Sequence, residues 1–232
     1  QTDARASWWT CGMADYGQPV RFGVFADPSA NQLEETLRIA AVADTAGLDV
    51  IGIQDHPYQR RHLDTVSLLA TVLARTSRVT VFPDVANGPL RPPAVLAKTA
   101  ASLDVISGGR FELGLGAGGF WEAIGAMGGP VRSVGEARAA LSEAIDITRL
   151  MWSGERSIRY DGKHYQVAGV KPGPQPAHDM DVWLGVNGPK ALALLGEKAD
   201  GWVPSAGYVP PSQLGGRHEI IDAAAVSAGR DP

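Results

Sequence analysis

Short apolar segments alternate with amphipathic ones along most of this chain, and that alternation constrains the fold more than any other feature. Segments of strand length lie at 21–25, 48–54, 78–85, 110–118, 181–186 and 201–206. Segments with the helical spacing of apolar residues follow them at 33–47, 65–76, 92–108, 135–152, 189–199 and 211–229. Six strand–helix units in succession predict an α/β fold built on a parallel sheet.

Two architectures fit this pattern, an open doubly wound sheet and a (β/α)8 barrel. A barrel needs eight units and typically about 250 residues. The chain has 232 residues and stops after its sixth helix, so we expect either an open sheet or a barrel that is incomplete at the C-terminus. Residues 1–19 lack periodicity and are predicted to form an N-terminal arm. Residues 20–232 form the main domain, with an excursion at 153–180 that contains a hairpin turning at Asp161–Gly162.

Composition excludes several classes of protein. The net charge of −4 and the pI near 5.7 give no long-range attraction to nucleic acid or anionic lipid. Cys11 is the only cysteine, so neither an internal disulfide nor a cysteine-based zinc site is expected. No apolar stretch approaches the ~20 residues of a membrane span, and the N-terminus does not resemble a signal peptide. These features predict a cytoplasmic protein with no bound metal and no nucleic-acid or membrane partner.

The second strand segment ends in Gln-Asp-His-Pro, residues 54–57. Ligands of parallel α/β folds bind at the carboxyl ends of strands. His56 could exchange a proton there near neutral pH, and the adjacent Asp55 could fix its tautomer. A surface turn whose aspartate caps the next helix explains the same residues, and spacing alone does not separate the two interpretations.

Three further strand ends suit a ligand, each with a simpler alternative. The loop at 82–93 has free backbone amides and Arg91, which suit an anion or a heterocycle edge, although a proline-stiffened loop explains it better. The segment 114–119 matches Gly-x-Gly-x-x-Gly but follows the fourth strand and lacks the distal acid of a dinucleotide site. It is better explained as a strand end approached by a flat ligand. The segment 185–190 suits a phosphate at a helix start, or is an ordinary left-handed turn.

No other chemistry is indicated by the sequence. It contains no Gly-x-Ser-x-Gly elbow, His-Glu-x-x-His pair or Walker sequence. Three aromatic residues near strand ends could line a pocket or simply pack as core: Tyr58, Trp121 and Trp202. Four histidines are interpreted as surface or loop residues rather than ligands: His62, His164, His178 and His218.

Five segments together carry a resemblance to a known family. They are RFGVF, ADTAGLDVIGIQDHPYQ, RVTVFPDVANGPLRPPAVLAKTAASLDVISGGRFELGLGAG, the helix that ends in LMW, and LGVNGPKALALLGEKADGW. On these segments the chain resembles the bacterial luciferase-like family of flavin- and deazaflavin-dependent oxidoreductases, over about residues 20–230. The third segment is the most specific, because its order of strand, proline-rich loop, helix and glycine-rich strand is characteristic of that family.

The resemblance implies a (β/α)8 barrel that holds FMN or the deazaflavin coenzyme F-420 (F420) over its strand ends and acts on a small organic molecule. Deazaflavin-using members carry an acid–histidine pair where this chain has Asp55 and His56, with His56 as proton donor or acceptor. Members often have a non-proline cis peptide after strand three, which corresponds to Asp84–Val85. The implied cofactor contacts are Asp84, Val85, Ala86, Asn87, Gly116, Ala117, Gly118, Asn187, Gly188 and Pro189.

Two departures from the family pattern leave alternatives open. Gly119 stands where deazaflavin-dependent dehydrogenases can have a glutamate, and the chain ends before strands seven and eight. FMN would imply oxygen activation, monooxygenation and a separate flavin reductase, whereas F420 implies hydride transfer without oxygen. A homodimer is also implied by the resemblance. The alternatives are a non-catalytic flavin-binding or scaffold protein of the same fold, and an open-sheet nucleotide-binding domain.

Overall fold

The computed structural model describes residues 16–232. The strands are β1 (Gly23–Ala26), β2 (Val50–Ile53), β3 (Thr80–Pro83), β4 (Ala86–Asn87), β5 (Leu113–Gly116), β6 (Ile158–Asp161), β7 (Gln166–Val170), β8 (Val182–Leu184) and β9 (Gly201–Trp202). The helices are α1 (Leu33–Ala46), α2 (Thr65–Arg75), α3 (Pro93–Ser107), α4 (Trp121–Ala126), α5 (Val134–Trp152), α6 (Pro189–Lys198) and α7 (Leu214–Ser227). Most of the predicted arm, with Cys11, lies outside the described residues.

The parallel strands follow one another in chain order. One sheet has the order β1-β2-β3 and the other β4-β5-β8-β9, with every neighbouring pair parallel. A parallel bridge between Val81 and Phe111 joins the two sheets, and β4 continues β3 after two intervening residues. The wall therefore has six strand positions, and each is followed by a helix. This confirms the six predicted units, and the unbroken order lacks the reversal that an open doubly wound sheet requires.

The central strands β2, β3 and β5 are buried, as in a parallel sheet covered by helices, whereas Phe25 of β1 is 60% exposed. Ile51, Ile53 and Leu113 are fully buried beneath the helices. On the inner face the rings of Phe82 and Trp183 meet edge to face, with centroids 4.9 Å apart. The strands thus form a curved wall with apolar side chains on both sides, which is the wall of a barrel rather than a flat sheet.

Local sequence signals set most helix ends. Gly47 and Gly108 close α1 and α3 with φ values of 82° and 71°, a conformation that glycine adopts without steric cost. The Asp64 side chain caps α2 by accepting the Ser67 amide at 2.9 Å. Ser133 forms a capping box at the start of α5. Strand bounds are tighter than predicted, and the short helix α4 was not predicted because its six residues are too few to show a period.

The excursion contains the predicted hairpin, with β6 and β7 antiparallel, but the predicted turn is wrong. The Gly162 amide donates to the Tyr165 carbonyl at 3.0 Å, so the turn residues are Lys163 and His164 rather than Asp161–Gly162. The Glu143 carboxylate on α5 accepts the amides of residues 163, 164 and 165, each at 2.9 Å. The turn is therefore shaped by a distant carboxylate, which local turn preferences do not report.

His178 anchors the return of the excursion to the barrel. Its Nδ1 lies 2.9 Å from an Asp104 carboxylate oxygen and its Nε2 lies 3.3 Å from Glu112. Burial alone would lower the pKa of His178, but the hydrogen bonds to the two carboxylates and their charges outweigh it, and the pKa is raised. This cluster sits at the amino ends of the strands, the stability face of such barrels.

The end of the predicted arm that is described packs against the last helix. The Tyr16 hydroxyl donates to the Asp222 carboxylate at 3.0 Å and lies 3.1 Å from His218 Nδ1. Among the helices of residues 16–232, none combines the length and the apolar character needed to cross a membrane.

Candidate active site

The carboxyl ends of β2, β3/β4, β5 and β8 meet at one end of the barrel. Ala86 pairs with Leu115 and Asn87 with Gly116, which brings the loop after β3 beside the glycine-rich end of β5. A Cβ at Gly185, which follows β8, would contact Val85. Three of the four strand ends singled out in the sequence are therefore in direct contact, and the fourth, after β2, joins them through Asp55.

Asp55 is directed away from His56 and into the barrel wall. Its carboxylate is 3% exposed and accepts the Arg91 Nε and Nη2 hydrogens at 2.6 and 2.8 Å and the Asn87 amide at 2.8 Å. Arg91 also donates to Asp64 at 2.7 Å. The expectation that Asp55 fixes the tautomer of His56 is therefore corrected, because its oxygens are held by Arg91 and Asn87.

Arg91 likewise differs from its sequence interpretation as an anion-binding or plain loop residue. Its guanidinium bridges the end of β2 and the start of α2, holding the loop after β4 between them. The bidentate geometry matches the fork of a guanidinium to the two oxygens of one carboxylate. The pair fixes the position of Asn87 relative to β2 and hence the shape of this end of the barrel.

His56 is half-buried and hydrogen-bonds to a neighbouring phenol. Its Nδ1 lies 2.7 Å from the Tyr58 hydroxyl. The two rings contact the ring of Phe120, with centroid distances of 5.9 Å to each. Burial, followed by the charge of His62, lowers the pKa of His56 despite the opposing charge of Asp55. At neutral pH the imidazole is therefore uncharged, the form that a general base requires.

The peptide bond between Asp84 and Val85 is cis, as the family resemblance implied. The Asp84 side chain lies on the inner face of the wall, where a Cβ at Gly52 would come within 3.2 Å of its carboxylate. No group of residues 16–232 donates a hydrogen bond to that carboxylate. Burial raises the pKa of Asp84. The site thus holds an acid on its inner wall that the sequence analysis had assigned only as a backbone contact.

The glycine-rich end of β5 exposes backbone toward the same space. Gly116 is buried against Val85, and Gly118 has a φ of 88°, which favours glycine. Beside Gly119 a Cβ would meet nothing within 4 Å, so open space lies there. Phe120 follows directly and is 58% exposed. The segment therefore presents backbone atoms between the side chains of Val85 and Phe120, as expected where a flat ligand approaches.

The end of β8 leads straight into α6. Gly188 is the N-cap residue, in extended conformation with φ −81° and ψ 150°, so the alternative of a left-handed turn is wrong. Asn187, Gly188 and Pro189 are exposed, and Arg217 of α7 donates to the Asn187 carbonyl. They lie at the ligand end of the barrel because they follow a parallel strand, but within residues 16–232 no hydrogen bond or ring contact joins them to the other three strand ends.

A flavin-type cofactor fits these residues. Asn87 is 6% exposed, and its buried Oδ1 has no hydrogen-bond partner in the described part of the chain, residues 16–232. A buried amide oxygen without a donor is costly, and a heterocycle with ring N–H groups would supply one. The Asp84 carboxylate, which likewise has no donor among residues 16–232, lies on the inner face of the wall near Gly52. Across residues 16–232, no cluster of three or more His, Cys, Asp or Glu side chains is arranged to hold a metal ion.

Similarity to known proteins shows the family to which the chain belongs. The sequence profile of the luciferase-like monooxygenase family matches residues 16–232, and the chain belongs to that family. Solved structures of the same fold include an F420-dependent secondary alcohol dehydrogenase in complex with an F420-acetone adduct. Its TM-score is 0.84 at 22% identity, covering 93% of this chain and 66% of that one. The monooxygenase RslO1 from Streptomyces bottropensis gives 0.80 at 25% identity, covering 92% and 68%.

Individual relatives are oxidoreductases. The F420-dependent glucose-6-phosphate dehydrogenase of Nakamurella multipartita is 30% identical over 198 residues, which are 83% of this chain. The 5,10-methylenetetrahydromethanopterin reductase of Archaeoglobus fulgidus is 30% identical over 214 residues, or 91% of this chain. The chain spans 58% and 60% of the lengths of these two curated relatives.

Proposed function

We propose that the chain forms the cofactor-binding part of an oxidoreductase that transfers a hydride between coenzyme F420 and a small organic substrate. The observation that carries the proposal is the His56 imidazole at the end of β2, whose Nδ1 bonds to Tyr58 and whose Nε2 has no partner among residues 16–232. The relatives of at least 30% identity named above include an F420-dependent dehydrogenase, which supports F420 over FMN. Bound deazaflavin would supply a carbon that accepts or donates the hydride.

The residues of the chain would bind the cofactor and exchange the substrate's proton. Asp84, Val85, Ala86 and Asn87 would support and hydrogen-bond the ring system. Gly116, Ala117 and Gly118 would admit its edge, and Asn187, Gly188 and Pro189 would face its phosphate-bearing tail. His56 would take up or return the substrate's proton at Nε2, because a hydride leaves a hydroxyl-bearing carbon only as the hydroxyl proton is removed. Asp55 would act indirectly, by holding Asn87 in place through its amide.

The experiment separates binding from proton exchange. F420 and FMN are titrated into the purified protein and binding is followed by ligand fluorescence. We expect micromolar binding of F420 and weaker binding of FMN. His56→Gln should keep the affinity within about threefold while reducing hydride transfer, followed by F420 absorbance, by 10²–10⁴-fold, the usual contribution of general acid–base catalysis. His164→Gln, in the hairpin turn held by Glu143, is the matched control. Failure of both ligands to bind would refute the proposal.

FMN-dependent monooxygenation is the second candidate. Gly119 provides no carboxylate where deazaflavin-dependent dehydrogenases can have a glutamate, and this favours the flavin. A monooxygenase of this type would draw reduced FMN from a separate flavin reductase. Preferential binding of reduced FMN, with oxygen consumption on addition of substrate, would establish it in place of the deazaflavin. A homodimer is part of either proposal, and sedimentation at micromolar concentration tests it.

A further inference from the structure

Tyr58 contacts His56 more closely than any acid does. The phenol oxygen lies 2.7 Å from His56 Nδ1, and the two ring centroids are 5.5 Å apart. Pro57 separates the two residues, and its ring fixes the backbone angle φ between them. Phe120 packs against both rings from a third side. The phenol and the imidazole are therefore held together by covalent connection, by a hydrogen bond and by a shared aromatic neighbour.

Among the residues that the structure describes, no other group hydrogen-bonds to this imidazole. An acid next to a histidine commonly orients its ring, but the Asp55 carboxylate accepts its hydrogen bonds from Arg91 and the Asn87 amide instead. Within residues 16–232, the Tyr58 hydroxyl is the sole hydrogen-bond partner of the His56 ring. The second nitrogen, Nε2, is left without a partner in the same range. The phenol thus decides which nitrogen of His56 is free to meet a ligand.

The chemistry of the pair fixes the direction of the hydrogen bond that proton uptake needs. An imidazole that accepts a proton at Nε2 must already carry its other proton on Nδ1. Nδ1–H then needs an acceptor, and a phenol oxygen is one. Burial, followed by the charge of Asp55, raises the pKa of Tyr58, so the phenol stays neutral. The bond formed on uptake is Nε2–H, the bond broken is the one that held the substrate's proton, and Tyr58 neither gains nor loses a proton.

We propose that Tyr58 is a positioning residue that accepts the Nδ1–H of His56 and so holds the imidazole in the tautomer whose bare Nε2 faces the ligand. The tautomer of a histidine is set by the hydrogen bond that its other nitrogen makes. In this site a phenol takes the part that a carboxylate or a backbone carbonyl commonly has. The assignment rests on the proposed function only in naming His56 as the proton-exchanging group.

The test reads the tautomer directly in the protein without cofactor. Long-range ¹H–¹⁵N correlation spectra of the ¹⁵N-labelled protein at pH 7.5 report which imidazole nitrogen is protonated, and His56→Gln assigns the signals. We expect protonated Nδ1 in the wild type and a shift toward protonated Nε2 in Tyr58→Phe. Phe120→Leu removes an aromatic neighbour but leaves the Tyr58 hydroxyl in place, so it should leave the tautomer of His56 unchanged. Protonated Nε2 in the wild type, or the same tautomer in Tyr58→Phe, would overturn the assignment.

A second readout separates this proposal from the proposed function. A phenol oxygen also stabilises the protonated imidazole through a charge-assisted hydrogen bond. Tyr58→Phe should therefore lower the pKa of His56 in the same spectra and reduce hydride transfer about tenfold at neutral pH, moving the acid limb of its pH profile downward. If His56→Gln stops hydride transfer while Tyr58→Phe changes neither the tautomer of His56 nor the pH profile, the role of Tyr58 is refuted and the proposed function is not. If His56→Gln leaves transfer intact, the proposed function falls and the tautomer result still stands.

Discussion

Arg91→Met removes the positive partner of a carboxylate that is 3% exposed. Asp55 would lose the hydrogen bonds at 2.6 and 2.8 Å and keep only the Asn87 amide. Removing one partner of a buried pair typically costs about 3–5 kcal/mol, because the remaining charge stays uncompensated. Domains are stable by about 5–15 kcal/mol, so the variant is expected to fold with much reduced stability.

The bond from Arg91 to Asp64 contributes far less. The Asp64 side chain is 46% exposed, and exposed ion pairs contribute about 0–1 kcal/mol. Asp64→Asn keeps the cap of α2, since asparagine caps as well as aspartate, and is therefore the matched control at the other end of the same guanidinium. Its expected cost is below about 1 kcal/mol.

Urea unfolding at pH 7, followed by tryptophan fluorescence and circular dichroism, measures both free energies of unfolding. The double variant Asp55→Asn with Arg91→Met should recover at least about 1.5 kcal/mol of the loss, because the unpaired charge disappears with its partner. Equal losses in Arg91→Met and Asp64→Asn, or no recovery in the double variant, would refute the view that Asp55 belongs to the wall rather than to the ligand.

Three further predictions concern the stability of the fold. Burial raises the pKa of Asp84, so its ionisation destabilises the fold as pH rises. Asp84→Asn should therefore raise the thermal midpoint at pH 7 and much less at pH 3, and equal shifts would contradict this. The raised pKa of His178 contributes stability below about pH 6.5 that is lost as pH rises through the folded value. His178→Gln should thus cost more at pH 5.5 than at pH 9 in urea unfolding. A Cβ at Gly114 would overlap the Pro83 carbonyl oxygen, whereas one at Gly119 meets nothing within 4 Å. Gly114→Ala should then cost roughly 2–4 kcal/mol and Gly119→Ala under about 0.5 kcal/mol, and similar costs would count against the close approach.

The elements were predictable from sequence because each depends on nearby residues. Apolar periodicity located the six units, and Gly47, Gly108 and Ser133 mark helix ends through local conformation and hydrogen bonds. Strand order and the cis bond at Asp84–Val85 followed from the family resemblance. The sequence also brought His56 and the loop after β3 to the same end of the barrel, since carboxyl ends of parallel strands meet there.

The pairing of polar groups was not predictable, because each partner is distant in the chain. Arg91 lies 36 residues from Asp55, so the chain between them gives no signal of their ion pair. His178 bonds carboxylates 66 and 74 residues away. Tyr58 is the exception, since a polar residue two positions after His56 at a strand end could have indicated the bond. The sequence did not predict that the Asp84 side chain lies on the inner wall, because the family resemblance concerns only the peptide bond between Asp84 and Val85.

The excursion at 153–180 leaves the barrel at the end of α5, and His178 returns it to the amino ends of the strands. Between these points the hairpin lies along one helix, held by Glu143 and by the contact of Arg132 with Tyr165. Its two ends are attached at the amino ends of the strands, whereas its turn reaches back along α5 to Arg132, beside the start of that helix. Replacement of the hairpin by a short linker would show how far the barrel folds without it.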